Sequence, residues 1–132
     1  MTVFLFAVLA AIDLFFLVCQ EEDLIQSLLI NLVDNAAKAY DTGMENRKVC
    51  LTVSGSTIEV SDNGRGIPKE ALPRIFEPFY MVDKSRSKKN GGIGLGLALV
   101  KRIVETHGIT IEISSEINTG TSVKLIWDNI DN

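Results

Sequence analysis

The sequence predicts an α/β (α+β) two-layer sandwich, in which a mixed and mostly antiparallel sheet is covered on one face by helices. Two segments repeat apolar residues at the spacing of an α-helix, and four short β-rich segments come in two pairs joined by tight turns. Strands joined by such turns pair antiparallel, and helices then cover one face of the sheet.

The longest predicted helix covers Glu22 to Tyr40. Its apolar residues recur at the helical period, at Leu24, Ile25, Leu28, Leu29, Leu32, Val33, Ala36 and Ala37. The acidic residues 21–23 suit the positive end of the helix dipole, and Asp41-Thr-Gly43 ends the helix. Val49 to Val53 and Thr57 to Val60 then form a predicted hairpin that delivers Asp62 at a strand end.

The second half of the chain supplies the remaining elements. A short helix is predicted at Lys69 to Ile75, and a polar, basic loop at Lys84 to Gly92. A further helix runs from Leu95 to Thr106 and stops at Gly108. Two strands follow, Ile109 to Ser114 and Ser122 to Trp127.

The first twenty residues form a hydrophobic region, which we interpret as two buried strands, Val3 to Val8 and Leu14 to Val18. The uncharged run before Asp13 is shorter than the roughly 20 residues that a membrane span needs. No Lys or Arg precedes Lys38, so the basic flank of a signal peptide is missing as well. We therefore expect no membrane span here.

Composition predicts a single domain over residues 1–132, with 46% hydrophobic and 23% charged residues. A net charge of −4 gives no reason to expect nucleic acid as a partner. Cys19 and Cys50 form no motif with other ligands, which favours reduced cysteines in a cytoplasmic domain. With a single histidine in the chain, any metal is expected to be an oxygen-bound Mg²⁺.

Three motifs carry side chains suited to a nucleotide. At about 100° per residue, Asn31, Asn35 and Lys38 point within roughly 60° of one another on their helix, beside its apolar stripe. An amide oxygen is a neutral ligand for Mg²⁺, and a lysine ammonium can face phosphates. Taken alone, however, this pattern favours the simpler interpretation of a solvated polar edge on an amphipathic helix.

The second motif is Asp62-Asn-Gly64-Arg-Gly66-Ile67. Glycines let the backbone approach a flat ligand closely, and a carboxylate accepts a hydrogen bond from an exocyclic amine, which distinguishes adenine from guanine. A plain turn around an Asp is the simpler interpretation of this motif taken alone.

The third motif places Gly92, Gly94 and Gly96 before a helix whose N-terminal amides can receive phosphate. It lacks the Gly-Lys-Ser/Thr ending of a Walker A loop, and Leu97 stands where a Rossmann fingerprint needs its third glycine. Both of those nucleotide folds are therefore disfavoured.

The order and spacing of these motifs, with Ile75-Phe-Glu-Pro-Phe79-Tyr80 between the last two, resemble the N, G1, F and G2 boxes of sensor histidine kinases. The resemblance covers roughly Glu21 to Trp127 and implies a Bergerat-type ATP-binding fold, shared with gyrase B, Hsp90 and MutL. It implies that ATP and Mg²⁺ are bound, with Asn35 as the metal ligand. The nucleotide-binding residues that the motifs and the resemblance together suggest are Asn31, Asn35, Lys38, Asp62, Gly64, Gly66, Ile67, Tyr80, Lys84, Arg86, Gly92, Gly94, Leu95, Gly96, Leu97 and Thr121.

The resemblance also implies individual roles. Asp62 is the expected adenine anchor with Thr121 as a helper beside it, and Lys84 and Arg86 are candidates for the γ-phosphate. Phe76 and Phe79 are interpreted as lid hinges and core plugs rather than ligand contacts.

The implied activity is that of the catalytic domain of a two-component kinase. Such a domain donates the γ-phosphate of Mg-ATP to a histidine on a separate dimerisation domain, which then passes the phosphoryl group to a response regulator. His107 is followed by Gly108 rather than by the carboxylate that usually follows a phosphoacceptor, so we expect a structural His107 and no self-phosphorylation. The alternative is a non-catalytic nucleotide-binding or interaction module of the same fold; an ATP-driven conformational machine is disfavoured by Asn31 and the small size.

Slow intrinsic hydrolysis of ATP is the first testable prediction. Superfamily members that hydrolyse ATP well carry a glutamate general base four residues before the second asparagine, and the amide of Asn31 at that position cannot take a proton. We expect weak turnover at most in a phosphate-release assay of the purified chain. A rapid rate that Asn31→Ala abolishes would contradict the assignment.

Overall fold

The computed structural model describes residues 22–41, 43–82 and 96–127. Within these residues a four-stranded antiparallel sheet has the order β1-β2-β4-β3, and two α-helices cover one of its faces. The elements are α1 (Glu22–Ala37), β1 (Val49–Ser54), β2 (Thr57–Asp62), a 3₁₀ turn (Leu72–Arg74), α2 (Gly96–Thr106), β3 (Thr110–Glu116) and β4 (Gly120–Ile126). The predicted two-layer sandwich is thereby confirmed.

The core lies between the two helices and the sheet because each element places its apolar side chains on one face. Helix α1 contributes a stripe of apolar side chains at helical spacing, and α2 contributes a second such stripe. The buried hydrophobic residues of this cluster are Leu28, Leu29, Leu32, Ala36, Ile58, Val60, Val100, Ile103, Val104, Ile109, Leu125 and Trp127. Burial of this apolar surface is the main favourable term in folding.

The opposite face of the sheet is polar. One row across the strands pairs Thr52 with Glu59, Glu59 with Lys124 and Lys124 with Glu112. The Lys124 ammonium lies 3.8 Å from the Glu59 carboxylate. Alternation of apolar and polar residues along the strands therefore separates a helix-covered face from an outer one.

The ends of several elements differ from the sequence-based boundaries by one to three residues. Helix α1 ends at Ala37 rather than Tyr40, because the Ala39 N–H already donates to the Ala36 carbonyl in a tighter turn. The predicted helix at Lys69 to Ile75 is reduced to the 3₁₀ turn Leu72–Arg74. Strand β2 extends to Asp62, so that this residue closes the strand instead of following it.

His107 has a structural contact in the corner after α2. The Ile109 N–H donates to the Val104 carbonyl at 2.9 Å across Gly108, whose φ of 67° is the left-handed conformation that glycine favours. The His107 Nδ1 atom lies 2.8 Å from the Ile103 carbonyl oxygen. His107 is thus held by the end of its own helix.

Several sequence-based expectations fall outside the described residues. These are the strands at Val3 to Val8 and Leu14 to Val18 and most of the loop at Lys84 to Gly92. That residues 1–132 form one domain therefore stays a prediction. Among the described residues, no helix has the length and hydropathy that a bilayer crossing needs.

The core of α1 generates a stability prediction. Leu28 is fully buried, so Leu28→Ala leaves a cavity and should lower the free energy of unfolding by about 2–5 kcal/mol. Ile30 on the same helix is 60% exposed, and Ile30→Ala should change it by no more than about 0.5 kcal/mol. Urea unfolding of the two variants measures the difference, and equal effects would contradict the packing described above.

Candidate functional site

The helix-covered face of the sheet changes from apolar to polar at one end. Along this face the rows across β2, β4 and β3 read Ile58, Leu125 and Ile111, then Val60, Val123 and Ile113, and finally Asp62, Thr121 and Ser115. The period of two along a strand keeps these last three side chains on the side of the core. A carboxylate and two hydroxyls therefore occupy the end of an otherwise hydrophobic layer.

Asp62 is half-buried in this row, and its carboxylate is held by the backbone. The Gly64 N–H donates to Asp62 Oδ1 at 2.8 Å. Burial raises the pKa of the Asp62 carboxyl, while hydrogen bonds from the backbone of Gly64 and Thr121 and the charge of Arg65 oppose that rise. The ionised form is thus incompletely compensated in the ligand-free chain, and a donor from a ligand would stabilise it.

Ser115 is a site residue that sequence reasoning missed. Its Oγ lies 2.8 Å from the Ile67 N, 2.7 Å from Thr121 Oγ1 and 3.1 Å from the Gly120 carbonyl oxygen. One hydroxyl therefore connects β3, β4 and the loop after Asp62. The available signal was the alternation along β3, because Ser115 continues the inward series of Ile111 and Ile113.

The loop after Asp62 is attached to two other parts of the fold. The Arg65 N–H donates to the Ala39 carbonyl at 2.8 Å, and the Arg65 carbonyl accepts from the Asn118 N–H at 2.8 Å. A Cβ at Gly64 would collide with the Ala39 carbonyl oxygen, and one at Gly66 with the Glu116 carbonyl oxygen. Close backbone approach therefore requires glycine at both positions, and Gly66 also has a positive φ of 74°, which glycine favours.

Helix α1 brings its polar edge to the start of α2. Asn31 Nδ2 donates to the Ser27 carbonyl at 2.7 Å, which fixes the amide, and a Cβ at Gly96 would lie 2.9 Å from Asn31 Oδ1. These two residues also line an open depression together with Ala98 and Leu99. The first and third sequence motifs thus meet at this point of the structure.

Asn35, in the last turn of α1, and Lys38, directly after its end, are both exposed. Lys38 Nζ lies 2.8 Å from Asp34 Oδ2, with the two side chains 41% and 53% exposed. An exposed i,i+4 pair contributes about 0.3–0.5 kcal/mol, so the ammonium can leave Asp34 for a phosphate at little cost. The amide of Asn35 is accessible to a metal ion from solvent.

Tyr40 has a structural role that the sequence did not reveal. Its hydroxyl donates to the Lys48 carbonyl at 2.6 Å and lies 2.8 Å from Asn63 Oδ1. The Lys48 N–H donates to the Tyr40 hydroxyl oxygen and to Asn63 Oδ1. Asn63 Nδ2 donates in turn to the Asn46 carbonyl, and the Arg47 guanidinium lies 5.6 Å from the Tyr40 ring centre. Tyr40 thereby fastens the segment before β1 to the loop after Asp62.

The segment around the 3₁₀ turn departs from one expectation. Phe79 is 69% exposed, so its interpretation as a core plug is wrong. Phe76 is half-buried with the Lys101 ammonium 5.3 Å from its ring centre, and Tyr80 has the Arg74 guanidinium 4.4 Å from its ring centre. Cationic side chains therefore lie over the rings of Phe76 and Tyr80.

The remaining sequence-predicted site residues divide into two groups. Leu97 packs against the hydrophobic core from the first turn of α2. Lys84, Arg86, Gly92, Gly94 and Leu95 lie outside the described residues.

The described residues contain no group of three or more His, Cys, Asp or Glu side chains that could hold a metal ion by themselves. Mg²⁺ commonly takes one or two protein ligands and completes its shell with phosphate oxygens and water. An accessible amide oxygen such as that of Asn35 fits this mode of binding.

Comparison with known proteins gives consistent matches. A family model described as "Histidine kinase-, DNA gyrase B-, and HSP90-like ATPase" matches residues 20–129. The signal transduction histidine-protein kinase ArlS of Staphylococcus aureus (strain USA300) is 43% identical over 104 residues. That alignment covers 77% of this chain and 23% of ArlS, so the chain spans only a small part of this relative.

Solved structures share the fold. A mycobacterial sensor histidine kinase, MprB, gives a TM-score of 0.61 at 26% identity over 80% of this chain and 70% of that chain. The nucleotide-free catalytic domain of histidine kinase ThkA gives 0.59 at 31% identity over 80% and 66%. Full-length ShkA in complex with AMPPNP gives 0.60 at 26% identity over 80% and 21%.

The raised pKa of Asp62 predicts how stability varies with pH. A carboxyl whose pKa is higher in the folded than in the unfolded chain favours folding below its unfolded pKa of about 4, and this contribution is lost as the pH rises through the folded pKa. Urea unfolding should therefore show wild type losing stability relative to Asp62→Asn as the pH rises from about 4 to about 7.

Glu59→Gln provides the matched control, because Glu59 lies on the same strand but on the outer face of the sheet. The difference in free energy of unfolding between Glu59→Gln and wild type should not show the pH dependence expected for Asp62→Asn. A wild-type chain that gains stability relative to Asp62→Asn over this range would indicate a lowered pKa and contradict the description of the site.

Proposed function

Because the chain belongs to the histidine kinase-, DNA gyrase B- and HSP90-like ATPase family, we propose that it is the ATP-binding catalytic domain of a two-component sensor histidine kinase. In this proposal it binds Mg-ATP and donates the γ-phosphate to a histidine on a separate dimerisation domain, from which a response regulator receives the phosphoryl group. The domain works in the cytoplasm, and the parent kinase supplies the remaining parts.

The half-buried carboxylate of Asp62 is the observation that carries the proposal. It accepts the Gly64 N–H and lies beside Thr121 at the polar end of the covered face. An exocyclic amine of adenine would supply the donor that the partly desolvated carboxylate lacks, and a 6-oxo group in guanine would not. We therefore assign Asp62 as the adenine anchor, with Thr121 beside it.

Glycines 64 and 66 and Ile67 form the wall next to this anchor in the proposed complex. Backbone hydrogen bonds to Ala39 and Asn118 fix the position of the loop, and its two glycines admit the close approach of the Ala39 and Glu116 carbonyls. Tyr80 is assigned to the nucleotide by family resemblance, and its ring would have to leave Arg74 or bind the ligand with it.

The phosphates are assigned to the region where α1 meets the start of α2. Asn31 faces Gly96 there, while Asn35 and Lys38 are available on the same edge of α1. Asn35 is the proposed metal ligand, and bound Mg²⁺ would neutralise and orient the phosphate oxygens. The helix N-terminus at Gly96 offers backbone N–H groups to an anion.

The glycine loop before α2 completes the proposed site. Gly92, Gly94, Leu95 and Leu97 are assigned to the phosphates with it, and Lys84 and Arg86 to the γ-phosphate, all by family resemblance. With an amide at Asn31, the site holds ATP without the general base that would activate water. The γ-phosphate is thereby kept for a histidine acceptor.

The alternative of a non-catalytic interaction module is less well supported. The relative with 43% identity is named a histidine-protein kinase, and the described residues include Asn31, Asn35, Lys38, Asp62 and Thr121 of the proposed site. A module that only senses nucleotide would bind ATP but transfer nothing.

Phosphoryl transfer in trans tests the proposal. With γ-radiolabelled ATP and Mg²⁺, label should appear on the histidine of the cognate dimerisation domain only when this chain is present. Asp62→Asn removes the charged acceptor and should weaken binding of an ATP analogue about 10- to 100-fold in a calorimetric titration, with loss of transfer at low ATP.

Glu59→Gln on the outer face of β2 is the control and should transfer like wild type. Binding without any transfer would favour the interaction module. Label on this chain alone, or full transfer by Asp62→Asn, would contradict the assigned roles.

A further inference from the structure

The hydroxyl of Ser115 has three hydrogen-bond partners but only one proton to donate. Its Oγ contacts three groups: the Ile67 N–H, the Gly120 carbonyl oxygen and the Thr121 hydroxyl. The first group can only donate and the second can only accept. The direction of the Ser115–Thr121 hydrogen bond is therefore fixed by how the single Ser115 proton is used.

Only one arrangement forms all three hydrogen bonds at once. Ser115 gives its proton to the Gly120 carbonyl, and its two lone pairs accept from the Ile67 N–H and from the Thr121 hydroxyl. If Ser115 donated to Thr121 instead, no proton would remain for the contact with Gly120. The half-buried setting of both hydroxyls favours the complete arrangement, because an unmade hydrogen bond is costly there.

We propose that Ser115 is a positioning residue for nucleotide specificity: it takes the Thr121 proton and leaves the Thr121 hydroxyl oxygen as an acceptor only. This inference rests on the proposed function, since it concerns the same base-binding end. Asp62 and Thr121 are paired neighbours on β2 and β4, so both would present acceptors to the base. Such a pair selects an exocyclic amine and rejects a 6-oxo purine.

Losing Ser115 should relax this selection. In Ser115→Ala the Thr121 hydroxyl has no acceptor at that position and can rotate to donate toward a 6-oxo group. ADP and IDP are suitable probes because both are diphosphates and differ at the 6-position of the base. We expect the ratio of ADP to IDP affinity to fall about three- to tenfold in calorimetric titrations.

Control variants separate positioning from simple loss of structure. Ser114→Ala lies one residue earlier on the outer face, where Ser114 pairs with Ser122, and should leave the ratio unchanged. Ser115→Thr restores a hydroxyl and should restore the preference. In a Thr121→Val background, adding Ser115→Ala should not change the ratio further, because the hydroxyl that Ser115 orients is already gone.

A ratio that Ser115→Ala leaves unchanged in a folded chain would overturn the proposal. An equal shift with and without the Thr121 hydroxyl would also overturn it, since Ser115 would then act by another route.

A measurement without nucleotide decides the hydrogen-bond order separately. Proton NMR of the ligand-free chain should show a slowly exchanging Thr121 hydroxyl proton close to the Ser115 β-protons, and Ser115→Ala should accelerate its exchange. Unchanged exchange would overturn the inference. A wild-type chain that binds neither ADP nor IDP would instead count against the proposed function. The NMR measurement would still decide whether Ser115 accepts the Thr121 proton.

Discussion

The site depends on how the backbone of Arg65 is fixed between two parts of the fold. Its N–H donates to the carbonyl of Ala39 just beyond α1, and its carbonyl accepts from Asn118 in the turn between β3 and β4. Each such hydrogen bond contributes only about 0.5–1.5 kcal/mol net, but the two together join the loop to separate parts of the fold. The loop after Asp62 therefore cannot move without disturbing both a helix end and a sheet turn.

Placing a carboxylate at the end of a hydrophobic layer has an energetic consequence. The rows of Ile58 and Val60 are fully apolar, and the next inward residue on the same strand is Asp62. Desolvation raises the pKa of this carboxyl in the ligand-free chain, so the fold is less stable with the group ionised. In the proposed complex a ligand amine would offset that penalty, so that a locally unfavourable group would become a selective one.

Helix α1 serves both the core and the proposed site. Leu28 and Leu32 on its inner side are buried against the sheet, while Asn31 faces the start of α2 from the adjacent edge. Its end is joined to the Asp62 loop through Ala39. The spacing between the proposed base end and the proposed phosphate end is therefore set by the same packing that stabilises the domain.

By itself, the sequence determined the two long helices, the two strand pairs and the candidate motif residues, because helical and strand periodicity and glycine spacing are local properties. Tertiary structure alone decided which groups complete the site. Ile67 and Ser115 lie 48 residues apart and meet only in the register of the folded sheet. The Tyr40 hydroxyl is likewise engaged by Lys48 and Asn63, and Phe79 stays exposed despite its aromatic ring. Periodicity encodes which face of an element is buried, whereas hydrogen bonds between distant segments depend on how those faces are brought together.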